Sequence, residues 1–170
     1  FNFVDFTKDT NNWNIGLPLA QDNEVKWQEI MPISANTQAA AQPQDITFAH
    51  DVFNEFLQIR SSSPLFRLTT EQDVIERVGF HNVGKAQQHG LIVMSIDDGE
   101  GLTDLDPAFD ALVVVINATE QTLSHTIATA ADFELHNVLK NSVDASMASA
   151  NFATGDNEGT FTVPPYTLAV

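Results

Sequence analysis

The sequence predicts a mainly β chain: an antiparallel β-sandwich over residues 64–170, preceded by a long loop and a single helix. Three observations predict it. From residue 65 onward, short β-prone runs alternate with clusters of Gly, Asp, Asn and Pro, the pattern of strands joined by turns. One helical period stands before them, at residues 45–60. Residues 1–44 keep no sustained period at all.

Taken in order, residues 1–44 carry Asn, Gln, Pro and aromatic residues ("KDTNNWNIGLPLAQDNEVKW") and read as a loop with one short helical turn. Loops of this length are usually functional or part of something larger. The next segment, "DITFAHDVFNEFLQIR", sets Ile46, Ala49, Val52, Phe53, Phe56, Leu57 and Arg60 at helical spacing. Asp45 is the expected N-cap and Pro64 lies beyond the end. The expected strands are "VGFHNV", "GLIVMSID", "ALVVVINA", "TLSHTI", "DFELHNV", "GTFTV" and "YTLAV". Two of them, Leu91 to Ile96 and Ala111 to Ile116, are apolar at nearly every position, so both faces of each need cover. One face packs on the opposing sheet. The other is covered by the amphipathic helix, by a neighbouring domain, or by the chain's own loops.

Charge narrows the partners. The chain of 170 residues has 23 acidic and 7 basic side chains, a formal net charge of -16. Such a surface repels phosphate backbones and anionic headgroups, whose binding depends on Lys and Arg clusters. Nucleic acid is excluded as a partner class. No run reaches the length of a membrane span. Cysteine is absent, which removes disulfides, thiolate zinc sites and a thiol nucleophile.

Several constellations could carry chemistry, and each has a structural reading beside it. His50, Asp51 and Glu55 resemble an acid/base cluster but sit mid-helix, where a solvated face is expected. His81, His89, His125 and His136 lack metal-ligand spacing. No GxSxG, GxGxxG or P-loop pattern occurs. The stretch "DDGEGLTDLDPAFD", residues 97–110, offers Asp97, Asp98, Glu100, Asp104, Asp106 and Asp110 as hard oxygen ligands. Calcium is the cation such a loop would take. Its spacing departs from the EF-hand, because the twelfth position from Asp97 is Ala108, and a solvated inter-strand loop is the simpler reading. "NAT" at 117–119 fits a glycosylation acceptor but directly follows an apolar strand. Trp13 and Trp27 have the flat apolar faces that suit sugar rings, or anchor the loop on the core.

At the level of whole segments a family emerges. "FLQIRSSSPLFRLTTEQDVIERVGFHNVG", "GLIVMSIDDGEGLTDLDPAFDALVVVINAT", "FELHNVLKNSVDASM" and "GTFTVPPYTLAV" closely resemble the C-terminal end of bacterial pullulanase-type alpha-1,6-glucosidases of the alpha-amylase superfamily. The opening "FNFVDFTKDTNNWNIGLPLAQDN" is similar to the family's segment after GDWFN, with the GDW absent and Phe6 where many relatives have Trp. The resemblance implies that residues 1–63 close a truncated (β/α)8 barrel, with 45–60 as its last helix, and that 64–170 form a C-terminal sandwich stabilising that barrel. It implies retaining hydrolysis of alpha-1,6-glucosidic bonds in an alpha-glucan by the complete enzyme, through carboxylates that lie upstream. No catalytic residue and no required cofactor then falls in this chain, which alone is expected to be inactive. Asn2, Asn11, Asn12 and Trp13 are implied near the substrate cleft, where barrel loops gather. An extracellular or cell-surface location is implied by the resemblance alone. The alternative is a carbohydrate-binding or interaction sandwich without catalysis. The absence of Trp after residue 60 and the single tyrosine, Tyr166, count against a flat stacking platform.

Overall fold

The computed structural model describes residues 20–38, 42–128, 130–156 and 158–170. The chain divides into two compact units, one ending at Thr47 and the other running from Phe48 to Val170.

In the first unit the segment expected to be a loop with one turn contains a full helix, α1 (Ala20–Ser34), with Pro32 inside it. Six of its 15 residues are Gln, Glu, Lys or Met, straight-chain formers that lose little rotamer freedom in a helix. They carry no apolar stripe for a periodicity reading to find. An exposed Lys26–Glu29 pair at 3.7 Å lies along it, and Trp27 is half-buried.

Helix α2 runs from Pro43 to Ser62, so Asp45 falls in its first turn and is not the N-cap. Pro43 opens the helix, where a missing N–H costs nothing. The Asp45 carboxylate reaches back to accept the Gln42 N–H at 2.8 Å. This is the acidic half of a capping box.

In the second unit the chain first makes a 3-10 turn, Pro64–Arg67, whose Ser63 cap accepts the Leu65 N–H at 3.1 Å. A short helix α3 (Glu71–Arg77) follows, in a stretch to which no element was assigned. The reason is local: the Thr70 hydroxyl accepts the Asp73 N–H at 3.0 Å and donates to the Asp73 carboxylate. Thr70 holds that carboxyl below its ordinary value despite the opposing effect of desolvation, with Arg77 adding to the lowering. The strands are β1 (Val78–Phe80), β2 (Leu91–Asp97), β3 (Ala111–Asn117), β4 (Leu123–Ala128), β5 (Asn151–Gly155), β6 (Glu158–Val163) and β7 (Thr167–Ala169). They form two antiparallel sheets, β1-β2-β3-β7 and β4-β6-β5. "DFELHNV" is not a strand: after Asp132 in the left-handed region (φ 58) the chain enters helix α4 (Asn137–Lys140). Helix α5 (Ala145–Ala148) follows, and β5 was not foreseen.

The inner faces of the two sheets share one core, with Leu91, Val93, Val113 and Val115 against Phe161 and Val163. Phe133, Phe152 and Phe161 meet around this core at centroid separations of 5.7, 5.6 and 4.8 Å. The second face of the apolar strands is covered by the chain's own turns at its Ile96–Leu112 end, while Ile92 on the same face is 49% exposed. Ile96 and Leu112 pack with Leu65 of the 3-10 turn, joined by Phe66, Leu68 and Leu105. Outside the second sheet, hydroxyl pairs Ser124–Thr162 and Thr126–Thr160, each 2.8 Å, zip β4 to β6.

Candidate functional site

Helix α2 has two apolar stripes. Val52, Phe56 and Ile59 pack on Leu139 of α4 and Met147 of α5. Phe53 and Leu57, about a quarter-turn away, are 61% and 48% exposed. Polar groups pin the inner stripe in place. The Glu55 carboxylate accepts from Ser142 Oγ at 2.6 Å and the Val143 N–H at 2.8 Å. The residue therefore seats the helix and does not join His50 and Asp51, which pair with each other at 3.2 Å on the exposed surface. Replacing Glu55 by alanine leaves two donors on the 142–143 turn to be resatisfied by water. The expected loss is about 2 kcal/mol by chemical denaturation.

At the end of α2, His136 Nε2 and Ser62 Oγ are 3.1 Å apart. Because His136 Nδ1 accepts the Val138 N–H at 3.2 Å, the ring proton is assigned to Nε2. It donates to Ser62 Oγ, which donates to the Ile59 carbonyl at 2.7 Å. Burial lowers the pKa of His136 below 6.5. Burial, then the charge of His81, lowers that of His125. Both shifts favour the neutral ring, so the unfolded chain binds more protons just below pH 6.5. Stability is full above that value and falls as pH drops from it toward the lowered folded pKa values. Denaturation midpoints at pH 7.5 and 5.5 should differ in that direction, and His136→Asn should shrink the difference.

The acidic loop 97–110 is organised around a buried arginine. Arg77, 2% exposed, pairs with the fully buried Asp98 side chain and with Asp73 at 3.3 Å. It also donates to the carbonyls of Asp97 at 3.2 Å and Thr103 at 2.6 Å. The Asp98 carboxylate accepts the N–H groups of Leu105 and Asp106 at 2.9 and 2.7 Å. The guanidinium thus neutralises Asp98 and, with it, ties down the 103–106 turn. Among the described residues no group of three or more acidic or histidine side chains converges as metal ligands.

Asn117, the first residue of the short "NAT" match, is 1% exposed. Its amide nitrogen donates to the carbonyls of Gln121, Val163 and Pro164 at 2.7, 3.0 and 2.8 Å. Its Oδ1 accepts from the Thr119 N–H and Oγ1. The side chain ties the end of β3 to the end of β6 and offers no free amide in the folded chain.

A cleft of about 1000 Å³ opens between the two sheets. Its floor is the apolar core. Its lining also includes His81, Asp97, Phe109, Asp110 and His125, with Ser95 buried beside His81. His81 Nε2 and Ser95 Oγ are 2.9 Å apart. His89 is exposed and stands apart. Asn2, Asn11, Asn12 and Trp13 lie outside the described residues. Sequence spacing gave no hint that His81 and His125, far apart in the chain, share one cleft.

This architecture has known counterparts. The family model for the C-terminal region of pullulanase-type alpha-1,6-glucosidases matches residues 8–170. The chain belongs to that family. Its relatives include pullulanase 1, chloroplastic, of Arabidopsis thaliana, 36% identical over all of this chain and 18% of the relative. A Klebsiella pneumoniae pullulanase is 32% identical over all of this chain and 15% of the relative. Among solved structures, a maltotriose complex of a Klebsiella pneumoniae pullulanase superposes with a TM-score of 0.75 at 32% identity, covering 98% of this chain and 18% of that one. The pullulanase-type chain thus spans less than a fifth of the relatives it matches. Among its described residues no helix is long and apolar enough to cross a membrane.

Proposed function

We propose that the chain is the non-catalytic C-terminal part of a starch- or pullulan-debranching enzyme that hydrolyses alpha-1,6-glucosidic linkages with retention. Its role is to support the upstream catalytic barrel. The observation that carries the reading is the outward stripe of α2. Phe53 and Leu57 lie exposed on a helix already filled on its inner side, and an apolar surface of this kind marks an interface. In the proposed enzyme α2 is the last barrel helix, its inner stripe packing on the sandwich and its outer stripe on the remainder of the barrel. The family match supplies the enzyme class, since the relatives are pullulanases.

The test is made in the complete enzyme. Phe53→Ser with Leu57→Ser is expected to lower its thermal midpoint and its yield of folded protein, while KM for pullulan in the surviving fraction stays unchanged. A rise in KM with the midpoint unaltered would mean that this face touches substrate and not the barrel.

A further inference from the structure

We propose that the cleft between the two sheets is a binding site of its own for a short, neutral alpha-glucan, with maltotriose as its simplest ligand. The choice of glucan as ligand rests on the debranching reading; the geometry of the cleft does not.

Its lining contains no Lys or Arg, and the chain carries a net charge of -16, so anionic ligands are repelled. What the rim does offer is hydrogen bonding of both senses. Asp97 and Asp110 are exposed carboxylates, acceptors for hydroxyl groups. Burial, then His81, favours the neutral form of His125, in which the ring presents one donor and one acceptor. The buried Ser95 is paired with His81 and holds that ring in place. Beside these groups stands Phe109, 37% exposed, an apolar face for the C–H side of a sugar ring. A pocket with apolar walls and a few convergent polar groups is the usual form of a small-molecule site. A volume of about 1000 Å³ is ample for a few sugar rings. The scarcity of Trp and Tyr counts against a flat stacking platform, but a cleft encloses its ligand and needs no such platform.

The experiment titrates maltotriose into this chain and follows backbone amide resonances. Saturable shifts are expected at Phe109, Asp110, Ala128 and Asn151, with affinity weakened tenfold or more in Asp110→Ala and in His125→Ala. Asp110 is exposed, so its variant should keep the native spectrum and separate lost binding from lost folding. Benzyltrimethylammonium, an apolar cation drawn to an acidic mouth, is titrated in parallel. No saturable shift with millimolar maltotriose, shifts that persist in both variants, or binding of the cation alone would each overturn the proposal. Pullulan hydrolysis by the complete enzyme is scored separately. Hydrolysis without binding here sinks the cleft and leaves the debranching reading standing. Binding here in an enzyme that does not debranch does the reverse.

Discussion

Replacing Arg77 by alanine is expected to lower the unfolding free energy by about 3–5 kcal/mol, the cost of breaking a buried ion pair from one side. The Asp98 side chain is fully buried, and without the guanidinium it keeps the N–H groups of Leu105 and Asp106 but no countercharge. The carbonyls of Asp97 and Thr103 lose their donor as well. Because both partners belong to one network, the double variant Arg77→Ala, Asp98→Ala should cost less than the sum of the two single changes, with a coupling of about 0.5–3 kcal/mol. Denaturant titration of all four proteins checks this. A loss below about 1 kcal/mol for Arg77→Ala, in the range of an exposed pair, would show that the loop is not built on this residue.

Asn117→Asp should be comparably damaging although it changes one atom for another of similar size. The carbonyls of Gln121, Val163 and Pro164, which share the two amide hydrogens, lose them and face a carboxylate oxygen instead. At about 1–3 kcal/mol for each buried group left unsatisfied, the expected loss is about 3 kcal/mol or more. It should be larger at pH 7 than at pH 4, where a protonated carboxyl can donate once. An unfolding midpoint within experimental scatter of the parent would mean that the β3–β6 junction is held by its apolar neighbours.

How much of this was legible in the sequence differs from element to element, for physical reasons. The sandwich was readable because strand propensity and turn chemistry agree over residues 90–128 and 158–170, as seen in β2, β3, β4 and β6. Helix α2 was readable from its period, although its second apolar stripe, Phe53 and Leu57, needed the fold to show that nothing described covers it. Helix α3 had a signal that was passed over: Thr70 three residues before Asp73 is a capping pattern. Helix α1 had little signal, since polar straight-chain residues form helices without an apolar period. The segment "DFELHNV" alternates like a strand because Phe133 and Leu135 both reach the core. The His136 cap and the bond from its N–H to the Val170 carbonyl at 2.7 Å turn it into α4.

The site was less legible than the fold. The acidic loop offered its carboxylates within one short stretch, residues 97–110, and that spacing does not reveal how Asp98 is held. The partner that organises it, Arg77, sits 21 residues before Asp98 on a different element. Glu55 looked like a member of an acid/base cluster because it is one turn from His50 and Asp51, yet its partners lie 87 and 88 residues away. Tertiary hydrogen bonds of this range leave no mark in local spacing.

The central claim, a non-catalytic piece that completes an upstream barrel, is tested most directly by reducing-sugar release from pullulan. The assay uses this chain alone, the upstream portion alone, and the two mixed. The account predicts no release from this chain, weak or absent release from the upstream portion, and recovery on mixing. Release of reducing sugar by this chain alone would contradict it.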